Sequence, residues 1–240
     1  MIKKALVTGS AVGIGRVIAL DLASKGFDVA FHYNKSVEAA NQASQEATSY
    51  GVKSIALQAD VTKPEQAQSL VENAAEKLGG LSVVVNNVGN YLEKRISQTS
   101  IEEWHQMLDS NLNSTFYVTQ AAIPYLKTAG WGRIINFAFA SAQNVIASNI
   151  QTAYRVAKTG IIIYTKSLAK ELIKDKITAN VIAPGVAENS VGLDEKTISL
   201  LPNKRPATLK EISNAVVFFI TPEADYITGQ VLEVAGGMRL

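Results

Sequence analysis

The 240-residue chain is predicted to fold as an α/β protein, a single-domain Rossmann-type doubly wound parallel sheet with helices on both faces. Three observations carry that expectation. Short, β-rich apolar runs alternate with longer stretches of helical period, and the first run leads straight into a glycine-rich turn. Hydrophobic residues make up 47% of the chain, enough for one large core. The length suits one domain, and no repeat or linker divides residues 1–240.

The elements follow in order. Residues 5–8 form the first strand, and 16–25 the helix after the turn. Strand 29–33 precedes a helical stretch at 36–50, and strand 54–58 precedes another at 64–78. Pro64 suits a first helical position, and Gly79-Gly80 closes that helix. Strand 81–86, helix 111–127, strand 133–137, helix 152–172 and strand 178–182 complete the alternation. Residues 186–207 have mixed polarity, two prolines and no clear strand; they read as a lid-like segment over a site, the alternative being an ordinary surface excursion.

Composition narrows the function classes. With 23 basic and 21 acidic residues and no basic cluster, nucleic acid is not an expected partner. The chain has no cysteine, so disulfides, thiolate metal sites and a cysteine nucleophile are excluded. The apolar run near the N-terminus breaks at Thr8-Gly9, too early for a signal core, and no apolar stretch reaches membrane-spanning length. The histidines, His32 and His105, stand far apart without acidic-ligand spacing, so no metal is expected. A soluble cytoplasmic enzyme is the expected class.

The turn Thr8-Gly9-Ser10-Ala11-Val12-Gly13-Ile14-Gly15 follows the first strand and opens a helix. Glycines there let the backbone approach a pyrophosphate, and free helix N–H groups point at the anion. An acid at the end of the second strand would bind the adenosine ribose and repel a 2′-phosphate. Here that strand ends in His32-Tyr33-Asn34-Lys35-Ser36, where Lys35 offers a cation and Asn34 and Ser36 offer neutral hydrogen bonds. NADPH is therefore expected rather than NADH. In Tyr154-Arg155-Val156-Ala157-Lys158, helical spacing puts the phenol and the ammonium on one face. A nearby cation is expected to lower the pKa of the phenol and suit it to proton exchange, the alternative being a half-buried helix face with a snorkelling lysine.

Thr-Gly-x-x-x-Gly-Ile-Gly at 8–15, Asp60-Val61, Asn86-Asn87-Val88-Gly89, Tyr154-x-x-x-Lys158 and Tyr226-Ile227-Thr228-Gly229 occur in the order of the classical short-chain dehydrogenase/reductase family. The chain resembles that family throughout, most of all its bacterial 3-oxoacyl-acyl-carrier-protein reductases. The resemblance implies adenine contacts at Asp60 and Val61 and cofactor contacts at Gly9, Gly13, Ile14, Gly15, Asn87 and Gly89. It implies backbone contacts to the nicotinamide at Pro184, Gly185 and Val186, with Asn189 where relatives carry Thr. It also implies that Lys158 holds the nicotinamide ribose and that Asn111 supports a proton-relay water.

The family's carbonyl-binding serine is displaced. Counting forward through Ile135-Asn136 puts Phe139 in its slot, whereas counting back from Tyr154 puts Ser141 near it. Ser141 is the expected donor and Ser148 the second choice, the alternative being that no serine fills the slot. The expected function is an NADPH-dependent reduction of a small-molecule ketone, with an acyl thioester among the candidate substrates. The other reading is a cofactor-binding sensor or scaffold with little turnover, motivated by Phe139. Apolar residues beyond one stripe on helices 111–127 and 152–172, which relatives pair across a dyad, point to a homo-oligomer, a tetramer by resemblance.

Overall fold

The computed structural model of the chain describes residues 2–238, so the domain expected over 1–240 extends at each end past the described residues. Seven strands, β1 (Lys4–Val7), β2 (Asp28–Tyr33), β3 (Ser54–Gln58), β4 (Val83–Asn86), β5 (Gly132–Phe137), β6 (Ile177–Pro184) and β7 (Val231–Val234), form one parallel sheet in the order β3-β2-β1-β4-β5-β6-β7. The helices are α1 (Gly13–Ser24), α2 (Val37–Thr48), α3 (Pro64–Leu78), α4 (Ile101–Leu108), α5 (Ser114–Thr128), α6 (Thr152–Leu172), α7 (Glu195–Leu200) and α8 (Leu209–Ile220).

Strand alternation divides the core into two layers. Ala5, Val7, Val83, Val85 and Ile135 face α1, α2 and α8, where Ile18, Leu22, Val216 and Phe219 meet them. Leu6, Val84 and Ile134 point the other way, onto Leu70, Val71, Val118 and Leu168 of α3, α5 and α6. Burial on both faces explains why these strands read as near-continuous apolar runs rather than alternating ones. The strand order reverses between β1 and β4, which opens a crevice at the carboxyl ends of the strands.

Several elements differ from the sequence expectation: α1 begins at Gly13 rather than at residue 16, and α4, α8 and β7 add to the expected set. The fourth strand starts two residues later than 81, and the sixth runs on to Pro184. The helix expected from Asn111 begins at Ser114, after a single π turn over Asp109–Asn113. Side chains here bond backward to the helix: Ser110 Oγ to the Gln106 carbonyl (2.7 Å), Asn111 Nδ2 to that of Met107 (3.0 Å) and Thr115 Oγ1 to that of Asn111 (2.7 Å). Such bonds compete with the regular ladder, and π turns gather at functional sites.

Segment 186–207 contains α7, and its two ends are stitched together. Glu188 N donates to the Ala207 carbonyl (2.9 Å) and Ala207 N to that of Val186 (2.8 Å). Of the apolar surplus on α5 and α6, Val118, Ile161 and Ile162 are spent in the core, whereas Phe116 and Ile163 stay exposed. Among the described residues no helix is long and apolar enough to cross a membrane.

Candidate active site

The glycine turn is clamped from two sides. Thr8 Oγ1 accepts from the backbone N–H groups of Asn87 (3.0 Å) and Val88 (3.2 Å), and Asn87 Nδ2 donates to the Thr8 and Gly9 carbonyls at 3.1 Å each. A Cβ on Gly15 would run into the Gly9 carbonyl oxygen and lie 2.6 Å from Asn87 Nδ2, so close approach of α1 to the turn demands glycine there. On the other side the buried His32 Nδ1 accepts from Gly9 N (2.9 Å), while Nε2 donates to the Ala59 carbonyl (3.1 Å). Burial lowers the pKa of His32 to about 4, which keeps the ring neutral, as an accepting Nδ1 requires. Sequence reading left this histidine without a role; its position inside an apolar strand was the available signal. The first turn of α1 carries no acid, in keeping with a helix end that faces an anion.

At the end of β2, Asn34, Lys35 and Ser36 are exposed and surround the loop into α2. The Asn34 carbonyl accepts from Gln58 Nε2 (3.2 Å), and the nearby Arg16 is engaged by Glu46. Past β3, Asp60 Oδ1 accepts from the backbone N–H (3.0 Å) and hydroxyl (2.7 Å) of Thr62, and Val61 is buried.

The chemical end is a cavity of about 440 Å³ at the carboxyl ends of the strands. Ile14, Asn87, Gly89, Asn111, Tyr154 and Lys158 line it, as do Pro184, Gly185 and Val186. Lys158 is 5% exposed, and its ammonium donates to the Phe137 carbonyl at 3.0 Å. A Cβ on Gly89 would meet the Asn111 side-chain oxygen and lie 3.1 Å from Lys158 Nζ, so glycine leaves room for both. Asn111 Nδ2 donates to the carbonyls of Asn90 and Met107 (3.0 Å each), which aims Oδ1, buried and without a partner, toward Lys158.

The electrostatics differ from the sequence expectation. Burial pushes the Tyr154 phenol up to about 12; the neighbouring Tyr91 adds to the rise and Arg155 opposes it. Burial also lowers Lys158 to about 8. The ammonium sits 5.8 Å from the centre of the Tyr154 ring and is bonded to a carbonyl, so desolvation outweighs the expected depression of the phenol. Tyr154 therefore holds its proton throughout the neutral range.

Ser141 does not reach this cavity. Its backbone N–H donates to Glu233 Oε1 (2.8 Å), its φ of 66° is left-handed, and its buried hydroxyl has no partner. Ala140 N donates to the Pro184 carbonyl (2.9 Å), so β5 continues its pairing past Phe137 before the chain turns toward β7. The continuation puts Phe139 in the cavity wall, its ring 5.7 Å from that of Tyr154. Ser148 lies outside as well, in the adjoining loop, where its hydroxyl accepts from Ile150 N (3.4 Å). The structure thus brings Phe139, the residue reached by the forward count, to the cavity and leaves Ser141 outside it. Ser141→Ala is expected to leave kcat within about twofold, because a buried hydroxyl without a partner contributes little; steady-state kinetics check this.

Asn189 and Ser190 both line the cavity. The Ser190 hydroxyl accepts from Ala187 N (2.9 Å), which leaves the Asn189 amide beside Gly13. The glycine cradle, the acid-free first turn of α1 and the unpartnered Asn111 oxygen beside Lys158 together fit a nicotinamide dinucleotide.

The chain is similar to known proteins over nearly its whole length. The family model described as enoyl-(acyl carrier protein) reductase matches residues 9–239. The 3-oxoacyl-[acyl-carrier-protein] reductase FabG of Staphylococcus aureus is 36% identical over 246 residues, covering 100% of this chain and 99% of its own. FabG of Aquifex aeolicus is 35% identical over 242 residues, covering 98% and 97%. Among solved structures, acetoin dehydrogenase YohF of Salmonella typhimurium superposes with a TM-score of 0.91 at 31% identity, covering 99% of this chain and 96% of its own. A blue fluorescent protein from a metagenomic library, in complex with NADPH, gives 0.93 at 31%, covering 99% and 98%.

Proposed function

The chain belongs to the short-chain dehydrogenase/reductase family of oxidoreductases, and we propose that it is an NADPH-dependent reductase of a ketone, with a 3-oxoacyl thioester as the first substrate to test. One observation carries the reading: a protonated, half-buried Tyr154, Lys158 and Asn111 converge on a single cavity beside the glycine turn. The identity to 3-oxoacyl-carrier-protein reductases over the whole chain supports the substrate class.

When bound, NADPH supplies the hydride that adds to the carbonyl carbon. Gly9, Gly13, Ile14 and Gly15 would hold its pyrophosphate; Asp60, Val61, Asn87 and Gly89 its adenine half and linking sugars. Pro184, Gly185 and Val186 would meet the carboxamide through their backbone. Tyr154 donates its phenolic proton to the oxygen as negative charge develops there. Lys158, held by the Phe137 carbonyl, would grip the nicotinamide ribose, and Asn111 Oδ1 offers a seat for the water that returns a proton through the lysine. The exposed apolar residues on α5 and α6, Phe116 and Ile163 among them, support a homo-oligomer, a tetramer by family habit.

Loss of NADPH absorbance with a 3-oxobutanoyl thioester tests the reading. Turnover of the 2-enoyl thioester alone would overturn it in favour of double-bond reduction. Tight NADPH binding with no turnover of ketones or enoyl thioesters would favour a cofactor-binding sensor, the reading that Phe139 beside Tyr154 supports.

NADPH is preferred over NADH because the end of β2 presents Lys35 and no carboxylate. Lys35→Ala is expected to weaken NADPH about tenfold, about 1.4 kcal/mol, and to leave NADH within twofold. Fluorescence titration with both cofactors measures it, and an equal loss for both would remove the phosphate role of Lys35.

A further inference from the structure

With Phe139 where the family's serine would stand and the Ser141 hydroxyl outside the cavity, the oxygen that takes the Tyr154 proton needs another donor. We infer that Gln151 supplies it: the side-chain amide of Gln151 gives the second hydrogen bond to the substrate's carbonyl oxygen. This assignment rests on the carbonyl-reductase reading above.

Gln151 is the N-cap of α6 and stands three residues before Tyr154, which places the two side chains one helical turn apart on the same side. It lines the same cavity as Tyr154, Lys158 and Phe139. Its neighbours determine which way the amide faces. Arg155 can only donate, and its Nε (3.3 Å) and Nη2 (3.2 Å) both bond Gln151 Oε1, so the carbonyl end of the amide turns to the guanidinium. On the other side Tyr91 gives its one proton to Glu93 Oε2 (2.7 Å), so its oxygen accepts from Gln151 Nε2 (2.6 Å). The order Arg155, Gln151, Tyr91, Glu93 thus has a single direction of donation and no freedom to flip.

The amide nitrogen has two protons, and Tyr91 takes one. Among the described residues no protein acceptor takes the second. The aromatic wall keeps the amide at the reacting end of the cavity: the Tyr91 ring stands edge-on to Tyr154 at 5.2 Å, and the Arg155 guanidinium lies 4.9 Å over Phe139. Gln151 exchanges no proton. Its N–H holds the oxygen while negative charge builds there, the role a serine hydroxyl would fill.

Substitution tests the assignment, with the N-acetylcysteamine thioester of 3-oxobutanoate as substrate. Gln151→Leu removes the amide; Gln151→Glu keeps an acceptor for Arg155 but removes both N–H groups. Each is expected to lower kcat on the order of a hundredfold, the usual effect of losing one such donor. The NADPH dissociation constant, read by fluorescence, and the melting temperature are expected to stay near those of the unaltered protein. Phe139→Ser in the Gln151→Leu background places a hydroxyl in the vacated slot and is expected to recover at least tenfold in kcat.

Near-normal kcat in both single variants would overturn the assignment. So would a loss of kcat that follows NADPH affinity and melting temperature down and that Phe139→Ser leaves unrelieved, since Gln151 would then be structural. Absence of turnover by the unaltered protein with NADPH bound strikes the carbonyl-reductase reading itself, which separates the two failures.

Discussion

Tyr154→Phe is expected to lower kcat for ketone reduction by roughly a hundredfold to ten-thousandfold, the range for removing a positioned general acid. The ring stays, so its packing against Tyr91 and Phe139 survives, and NADPH affinity is expected within about threefold of the original. The phenol combines a proton held to about pH 12 with a place one helical turn from Lys158, which Tyr91, the other phenol lining the cavity, lacks. Steady-state kinetics and a cofactor titration on one preparation check both halves. Retained turnover would remove Tyr154 from the chemistry. The pH profile of the unaltered enzyme carries the same logic. Tyr154 remains protonated across the accessible range, so the first ionisation on raising the pH is that of Lys158, at about 8. Reduction is expected to decline through that value as the ammonium loses its charge.

Gly15→Ala carries the second large effect, at the other end of the cofactor site. Its Cβ would have to displace the Gly9 carbonyl or the Asn87 amide, which lies 2.6 Å away. Both belong to the clamp that holds the turn, because Asn87 Nδ2 donates to the Thr8 and Gly9 carbonyls. Overpacking of this kind costs about 1–3 kcal/mol in stability. Displacing the turn is expected to weaken NADPH by on the order of a hundredfold, about 2.7 kcal/mol. Urea unfolding reads the first quantity and fluorescence titration the second. Native NADPH affinity in the variant would show that the turn does not bind the cofactor.

The fold class was legible because the first six strands have compact apolar cores and the helices between them keep their period; β7, whose four residues include Glu233 and lie partly exposed, has no such run. Pro64 and Gly79 bound α3 in the structure as their residue types predict. The π turn at Asp109–Asn113 was not legible, since it depends on hydroxyls and amides choosing backward bonds within an otherwise helical pattern. Segment 186–207 hid α7 because a six-residue helix is too short to show a period.

At the site, local spacing and tertiary placement divide cleanly. The sequence by itself determined that Tyr154 and Lys158 share a helix face, that a glycine turn follows β1, and that the end of β2 carries a lysine and no acid. Each of these depends on neighbours a few residues apart, so local geometry suffices. Only the tertiary structure decided which residue stands where a serine was expected, because that depends on β5 keeping its pairing with β6 beyond Phe137 and on Glu233 drawing Ser141 toward β7. It also decided the protonation of the pair. Spacing alone suggested a phenol softened by a cation, whereas burial of both groups, a property of the whole packed crevice, raises one pKa and lowers the other.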